Sequence, residues 1–188
     1  MTSGSTPRQL STADERRETV LRTAIHAFAA KGYYGTTTSE VATRAGISQA
    51  YVYRLFPDKE ALFVAVIGHC SLRMSECFAD AAATARGSGP AEVLDALGEA
   101  YARLIVDRDL LMVLMQANCA TSEPAIRDAV RAYYAKQVEY VRAVSGATDP
   151  EIQRFFATGL LCNLLIALDT GTVDAPWANT LGAGIRHF

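Results

Sequence analysis

Four cysteines and three histidines in 188 residues leave little for disulfide, metal or nucleophilic chemistry. Cys70, Cys77, Cys119 and Cys162 show neither CxxC spacing nor a dense framework, which excludes a disulfide scaffold and points to a reduced compartment. Cys70 and Cys77 share a helical face near His69, which raises a metal or redox sensor. Two sulfurs on successive turns make a poor tetrahedral set, however, and an isolated cysteine usually serves as a small buried hydrophobe. A Gly-x-Ser-x-Gly elbow, a phosphate-binding glycine loop, a metal-spaced His/Glu set and a Ser/His/Asp cluster are all missing. No catalytic residue, metal ligand or cofactor is assigned, and an enzyme is the main rival reading. The longest nearly apolar run, residues 155–168, is broken by Asn163 and bounded by Arg154 and Asp169. It falls short of the roughly 20 residues that span a bilayer, so a buried helix and no membrane partner are expected. With no signal peptide evident, a cytoplasmic location is expected. Alternating strand patterns and internal repeats are also lacking, which predicts an all-α fold.

What is present is a globular composition, 50% hydrophobic and 20% charged, with a formal net charge of −2. The charge is unevenly placed. Residues 1–57 carry a net +3 and residues 58–188 a net −5. The basic end is the one a phosphate backbone would require.

The chain divides by pattern into a Ser/Thr/Gly-rich tail over 1–12, a segment over 13–57 and a helical body over 58–188. Leu21, Ile25 and Phe28 line a first helix that ends near Lys31-Gly32. A long helix follows Pro57, capped by Asp58. Leu62, Val66, His69 and Arg73 share one of its faces, and Phe63, Ile67, Cys70, Met74 and Cys77 another. Gly87-Ser88-Gly89-Pro90 is a break. Leu94, Leu97, Tyr101 and Leu104 form the next seam, and an apolar segment surrounds residues 110–115. Pro124 opens a helix that stops at Gly146. Asp149-Pro150 reads as a cap and first position of a helix that Gly171 ends, and Pro176-Trp177 starts a last short one.

Between Thr37 and Phe56 lies a helix-turn-helix pattern. Thr37 and Glu40 have capping-box spacing, the hydroxyl accepting from a backbone N–H and the carboxylate reaching back. Gly46 stands where the first helix must stop and a left-handed residue is needed. Ser48 caps the second helix, with Ile47 and Val52 spaced as a hydrophobic staple. Ala42, Gly46 and Val52 supply the small contact, tight turn and apolar plug of two steeply crossing helices. Ser48, Gln49, Tyr51 and Arg54 stay on the outer side, where they combine groups for base edges with groups for phosphates. An ordinary helical hairpin with a solvated face is the bland alternative.

Several stretches extend this pattern: Gly32-Tyr33-Tyr34-Gly35-Thr36-Thr37, Val41-Ala42, Ala45-Gly46-Ile47-Ser48, and the run from Tyr53-Arg54-Leu55-Phe56-Pro57-Asp58 through Lys59-Glu60-Ala61-Leu62-Phe63. Together, over roughly residues 14–65, the sequence resembles the N-terminal domain of TetR-type transcriptional regulators. The resemblance implies an N-terminal three-helix DNA-binding domain followed by an antiparallel helical bundle for ligand binding and dimerisation. It further implies a homodimer, usually a repressor, that leaves a pseudo-palindromic operator in double-stranded DNA when a small-molecule effector binds. Carried over, Thr37 and Arg44 would touch phosphates, while Gln49, Ala50 and Tyr51 would face base edges. Ser48, Tyr53, Arg54 and Lys59 would hold the DNA backbone. Gln can pair bidentately with adenine, and Tyr51 can pack on a thymine methyl or reach a phosphate. Arg8 would be a minor-groove arm or part of a disordered tail.

In the body, Tyr101, Met112, Met115, Gln116, Tyr133 and Gln137, joined by His69 and Arg73, are candidates for an apolar pocket with a few polar groups. Plain core plus solvent-facing tyrosines is the other reading. The apolar helix over 150–169, with Phe155, Phe156, Gly159, Leu160, Asn163, Leu164 and Ile166, is expected to pack on its own copy across a two-fold axis, with Asn163 setting register. A central core helix of a monomer is the alternative there. A helical module that binds protein rather than DNA is the second rival class, and salt dependence separates the two.

Overall fold

The computed structural model describes residues 12–185 apart from 86 and 88, so the tail with Arg8 lies outside the described residues except for Thr12. Among the described residues, nine α-helices follow one another: α1 Thr12–Gly35, α2 Thr38–Arg44, α3 Gln49–Leu55, α4 Lys59–Thr84, α5 Pro90–Leu104, α6 Arg108–Cys119, α7 Pro124–Ser145, α8 Asp149–Ala167 and α9 Pro176–Gly182. A single 3-10 turn, Thr170–Thr172, sits before the last. Among the described residues there is no strand, and the fold is all-α.

Helix α1 buries Val20, Leu21, Ala24, Ala27 and Phe28 and kinks at Gly32, whose φ of 68° and ψ of −179° no helix accommodates. The buried Thr36 hydroxyl secures that kink by reaching the carbonyls of Gly32 at 2.8 Å and Ala27 at 3.1 Å. The central helix α4 starts where Asp58 Oδ1 accepts from the Ala61 N–H at 2.7 Å. It buries Leu62, Phe63, Val66, Ile67, Cys70, Met74 and Phe78 on two flanks. It accordingly packs on α1 at one end and on α5, α6 and α7 along its body. Phe63 meets Phe28 at a centroid distance of 4.6 Å, so the same apolar core runs from the N-terminal helices into the bundle. Each such fully buried side chain contributes about 1.5–3 kcal/mol.

By length and composition, α4 rather than the run over 155–168 is the described helix that would suffice to cross a bilayer. Its buried side chains, from Leu62 to Ala81, are engaged in the packing just described, while Leu72 is exposed.

Two boundaries differ from the sequence expectation. Helix α8 is capped one residue earlier, by Thr148, whose backbone N–H donates to Glu151 Oε2 at 2.7 Å. Asp149 and Pro150 therefore occupy the first turn. Its end comes at Ala167, because Asp169 takes a left-handed conformation with φ 51° and Gly171 falls inside the 3-10 turn. Helix α7 ends on Gly146 in the left-handed region, as its sequence predicts.

Candidate functional site

Helices α2 and α3 form a helix-turn-helix whose turn closes by backbone bonds alone. Gly46, at φ 67°, donates to Thr43 O at 3.2 Å, and Ile47 donates to Ala42 O at 3.0 Å. This is the paired closure that a left-handed glycine permits after a helix. Val41, Ala42, Val52 and Phe56 are buried beneath it. Thr37 Oγ1 accepts from the Glu40 N–H and Ser48 Oγ from the Tyr51 N–H, both at 3.2 Å. The reciprocal half of the expected box does not form. The Glu40 carboxylate instead meets Lys31 Nζ at 2.9 Å and Arg44 Nη2 at 3.2 Å. The hydrogen bond from Lys31 holds that carboxyl below its usual value.

The outer face of α3 exposes Ser48, Gln49, Ala50, Tyr53 and Arg54. Gln49 Nε2 donates to Thr38 Oγ1 at 3.0 Å and approaches Tyr53 Oη at 3.4 Å, so the amide is braced across both helices of the motif. Tyr51 is stacked between two guanidinium groups, Arg54 at 4.2 Å and Arg16 at 5.3 Å from its ring centroid. The Arg16 group first, then that of Arg54, lowers the phenol's pKa from its ordinary value. Arg17 donates to Leu55 O at 2.9 Å and covers Phe56, which ties α1 to the end of α3. Arg16 and Arg17 contribute to the basic charge of residues 1–57, but nothing in local spacing places α1 against α3. Lys59, expected at the DNA backbone, is half-buried beside Tyr33. Its Nζ donates to Tyr33 O at 2.9 Å and lies over the Tyr33 ring, so it locks α4 to the end of α1. Thr37 and Arg44 are exposed, Arg44 with its Glu40 partner.

Beneath this head, α6 docks on α1. His26 Nδ1 is 2.7 Å from Asp109 Oδ2, and Tyr34 Oη is 2.6 Å from Ser122 Oγ. Arg73 Nη1 donates to Asp107 Oδ2 at 2.6 Å, joining α4 to the residue that caps α6.

A cavity of about 410 Å³ opens among α4, α5, α6, α7 and α8. Of the expected pocket residues, Tyr101, Tyr133 and Gln137 line it. His69, Arg73, Met112, Met115 and Gln116 do not. Arg73 is taken by Asp107, the methionines pack against the core, and Gln116 lies over Gly32, where its Oε1 is 2.5 Å from where a Cβ would stand. Helix α8 supplies much of the wall. Phe155, Phe156, Gly159, Leu160 and Asn163, read from sequence as a subunit seam, all border the cavity. Asn163 is buried, and its carbonyl oxygen accepts from Tyr101 Oη at 2.5 Å within the chain. Ile166 packs toward the core. Leu160 and Leu164 are 51% and 41% exposed, and Leu168, Trp177 and Leu181 are exposed as well. Those last three were missed, although Leu160, Leu164 and Leu168 form an i, i+4 stripe. Burial pushes the phenols of Tyr101 and Tyr133 well above their ordinary value, so both remain neutral.

Comparison with known proteins agrees with this arrangement. Residues 20–66 match the bacterial regulatory proteins of the tetR family. The HTH-type transcriptional regulator YerO of Bacillus subtilis is 30% identical over 119 residues, which are 61% of this chain and 40% of that protein. The chain spans two fifths or less of the length of the curated relatives it matches most strongly. Among solved structures, the Bacillus subtilis regulator FadR in complex with stearoyl-CoA superposes with a TM-score of 0.65 at 18% identity, covering 87% of this chain and 94% of that one. AibR in complex with isovaleryl coenzyme A and operator DNA also gives 0.65, at 21% identity, over 79% and 85%. These two likenesses are of fold. The helix-turn-helix and the match over residues 20–66 show that this segment of the chain is that of the tetR family of bacterial regulatory proteins.

Proposed function

We propose that the chain is a sequence-specific transcription regulator, acting in the cytoplasm as a homodimer and releasing its operator when a small molecule fills the bundle cavity. The observation that carries this reading is the outer face of α3, where exposed Gln49, Tyr53 and Arg54 flank a tyrosine held between two arginines. Such a face offers hydrogen bonds to base edges and cations to phosphates. Residues 13–57 act as the reading head and residues 58–188 as the body that senses and dimerises. Thr37, Arg44, Ser48, Tyr53 and Arg54 contact the DNA backbone, while Gln49, Ala50 and Tyr51 face the bases. Two copies pair through the exposed apolar stripe of α8 and α9, Leu160, Leu164, Leu168, Trp177 and Leu181, whose burial removes a surface that water disfavours.

The cavity wall includes Ile67, Met74 and Phe78 of α4, and α4 is bolted to α1 through Lys59. A ligand that prefers one position of α4 shifts the spacing of the two heads, whereas one binding both positions equally would change nothing. The ligands of FadR and AibR, stearoyl-CoA and isovaleryl coenzyme A, support a small-molecule site in a fold of this kind. In this reading the dimer represses by occupying its operator. Selection of bound duplexes from a random pool tests the reading. A two-fold symmetric site with half-sites about one helical turn apart is expected, and recovery of no enriched sequence would overturn it.

A further inference from the structure

The inner wall of the cavity contains one buried polar atom with no hydrogen-bond partner among the described residues, Gln137 Oε1. Gln137 is 1% exposed, on a wall otherwise built mainly from aromatic and aliphatic side chains. The orientation of its amide follows from its neighbours. Ser75 Oγ donates its one proton to Ser71 O at 2.9 Å, so toward Gln137 it can only accept. It is Gln137 Nε2 that donates to Ser75, at 3.4 Å, and the carbonyl oxygen is left as an acceptor. A buried acceptor without a donor is costly, and a ligand that supplies one recovers that cost.

One turn back on α7, Tyr133 adds a neutral hydroxyl to the same wall, and Tyr101 and Asn163 satisfy each other across from it. Among the described residues, the charged lining residues are Asp95 and Glu151, both acidic, and a single cation, Arg154. A carboxylate has no proton to offer Gln137 and finds no cation among the described buried wall residues. A coenzyme A headgroup would bring several phosphate charges to a lining with two carboxylates and one guanidinium.

Resting on the reading of the cavity as the effector site, we infer that its ligand is an uncharged lipophilic alcohol or phenol whose hydroxyl donates to Gln137 Oε1. Tyr133 can return a hydrogen bond to the same ligand oxygen, and Phe78, Phe155 and Phe156 enclose the apolar body.

Isothermal titration of the full chain with four probes tests this: 4-octylphenol, its O-methyl ether, octanoate and octanoyl-CoA. The phenol is expected to bind about tenfold or more tightly than the ether, which keeps the oxygen and loses the proton. In Gln137→Met, similar in size but without the acceptor, that ratio is expected to fall to about one while both still bind; Ser75→Ala, which leaves the acceptor in place, should preserve it. Equal binding of phenol and ether by the wild type, tighter binding of octanoate or octanoyl-CoA, or binding of none of the four overturns the inference. Repeating the titration in the presence of a selected duplex separates the two layers. Release of DNA by octanoyl-CoA alone would overturn the hydroxyl ligand and keep the effector site. Tight phenol binding in the expected order with no effect on DNA affinity would support the ligand class and contradict the effector role.

Discussion

Gly32 is where α1 kinks beneath Gln116 of α6, and replacing it with alanine reads out how rigid that kink is. Its φ of 68° with ψ of −179° lies in a region that is almost exclusively glycine's, where a side chain costs about 1–3 kcal/mol. Alanine regains roughly 0.4–1 kcal/mol by restricting the unfolded chain. A net loss of about 1–2 kcal/mol is therefore expected. The new Cβ would also stand 2.5 Å from Gln116 Oε1, but that atom ends a flexible side chain and can swing away. Most of the loss should thus be backbone strain. Urea denaturation of Gly32→Ala, Gln116→Ala and the double variant separates the two causes. The single glycine variant should show a lower midpoint at unchanged slope, Gln116→Ala should cost under about 1 kcal/mol, and the double variant should recover less than half the loss. A Gly32→Ala protein within about 0.5 kcal/mol of wild type, or full recovery in the double variant, would refute the reasoning.

Gln49→Ala should relax preference at one base pair per half-site by about 1–3 kcal/mol in selection experiments, and an unchanged logo would remove Gln49 from base reading. Leu160→Glu with Leu164→Glu should convert a sedimenting dimer into the 20.2 kDa chain at micromolar concentration; a dimer that survives both charges places the interface elsewhere. Burial would raise the Asp107 carboxyl, yet the hydrogen bonds from Arg73 and the Leu110 N–H outweigh it and lower its pKa. Because the folded value lies below the unfolded one of about 3.9, the stability Asp107 contributes is present above that pH and lost as pH falls through the folded value. The advantage of wild type over Asp107→Asn in urea midpoint should be at most about 1 kcal/mol near neutrality, since both partners are partly exposed, and should close below about pH 4. A difference independent of pH would exclude the ion pair as its source.

Local chemistry made the head readable from sequence, because caps and turns depend on neighbours. Thr37, Gly46, Ser48 and Asp58 each act within three or four residues of their own position, and each is found in the cap or turn expected of it. What needed three dimensions was partner choice. Glu40 had a local partner available and took Lys31 and Arg44 instead. Lys59 looked free for phosphate and is spent on Tyr33. Helix α8 shows the same limit more strongly. A helix apolar nearly all round announces that it hides more than one face, but not which face meets the cavity. Asn163 settles on Tyr101, 62 residues away in the chain, a pairing that no periodicity contains. Residues such as Met112 and Gln116 have pocket-like chemistry and point toward α1 or the core, since side-chain type says nothing about direction.

The account stands most directly on the cations of the motif meeting DNA phosphates. The decisive measurement is the affinity of the full chain for its selected duplex across a salt series, wild type against Arg54→Ala. Each phosphate contact contributes about 0.9 to the slope of log affinity against log salt. A steep negative slope is predicted for the wild type, reduced by about two in the variant because a dimer loses one contact per head. An affinity indifferent to salt, or no duplex binding at low salt, would contradict the assignment of this chain as a DNA-binding regulator.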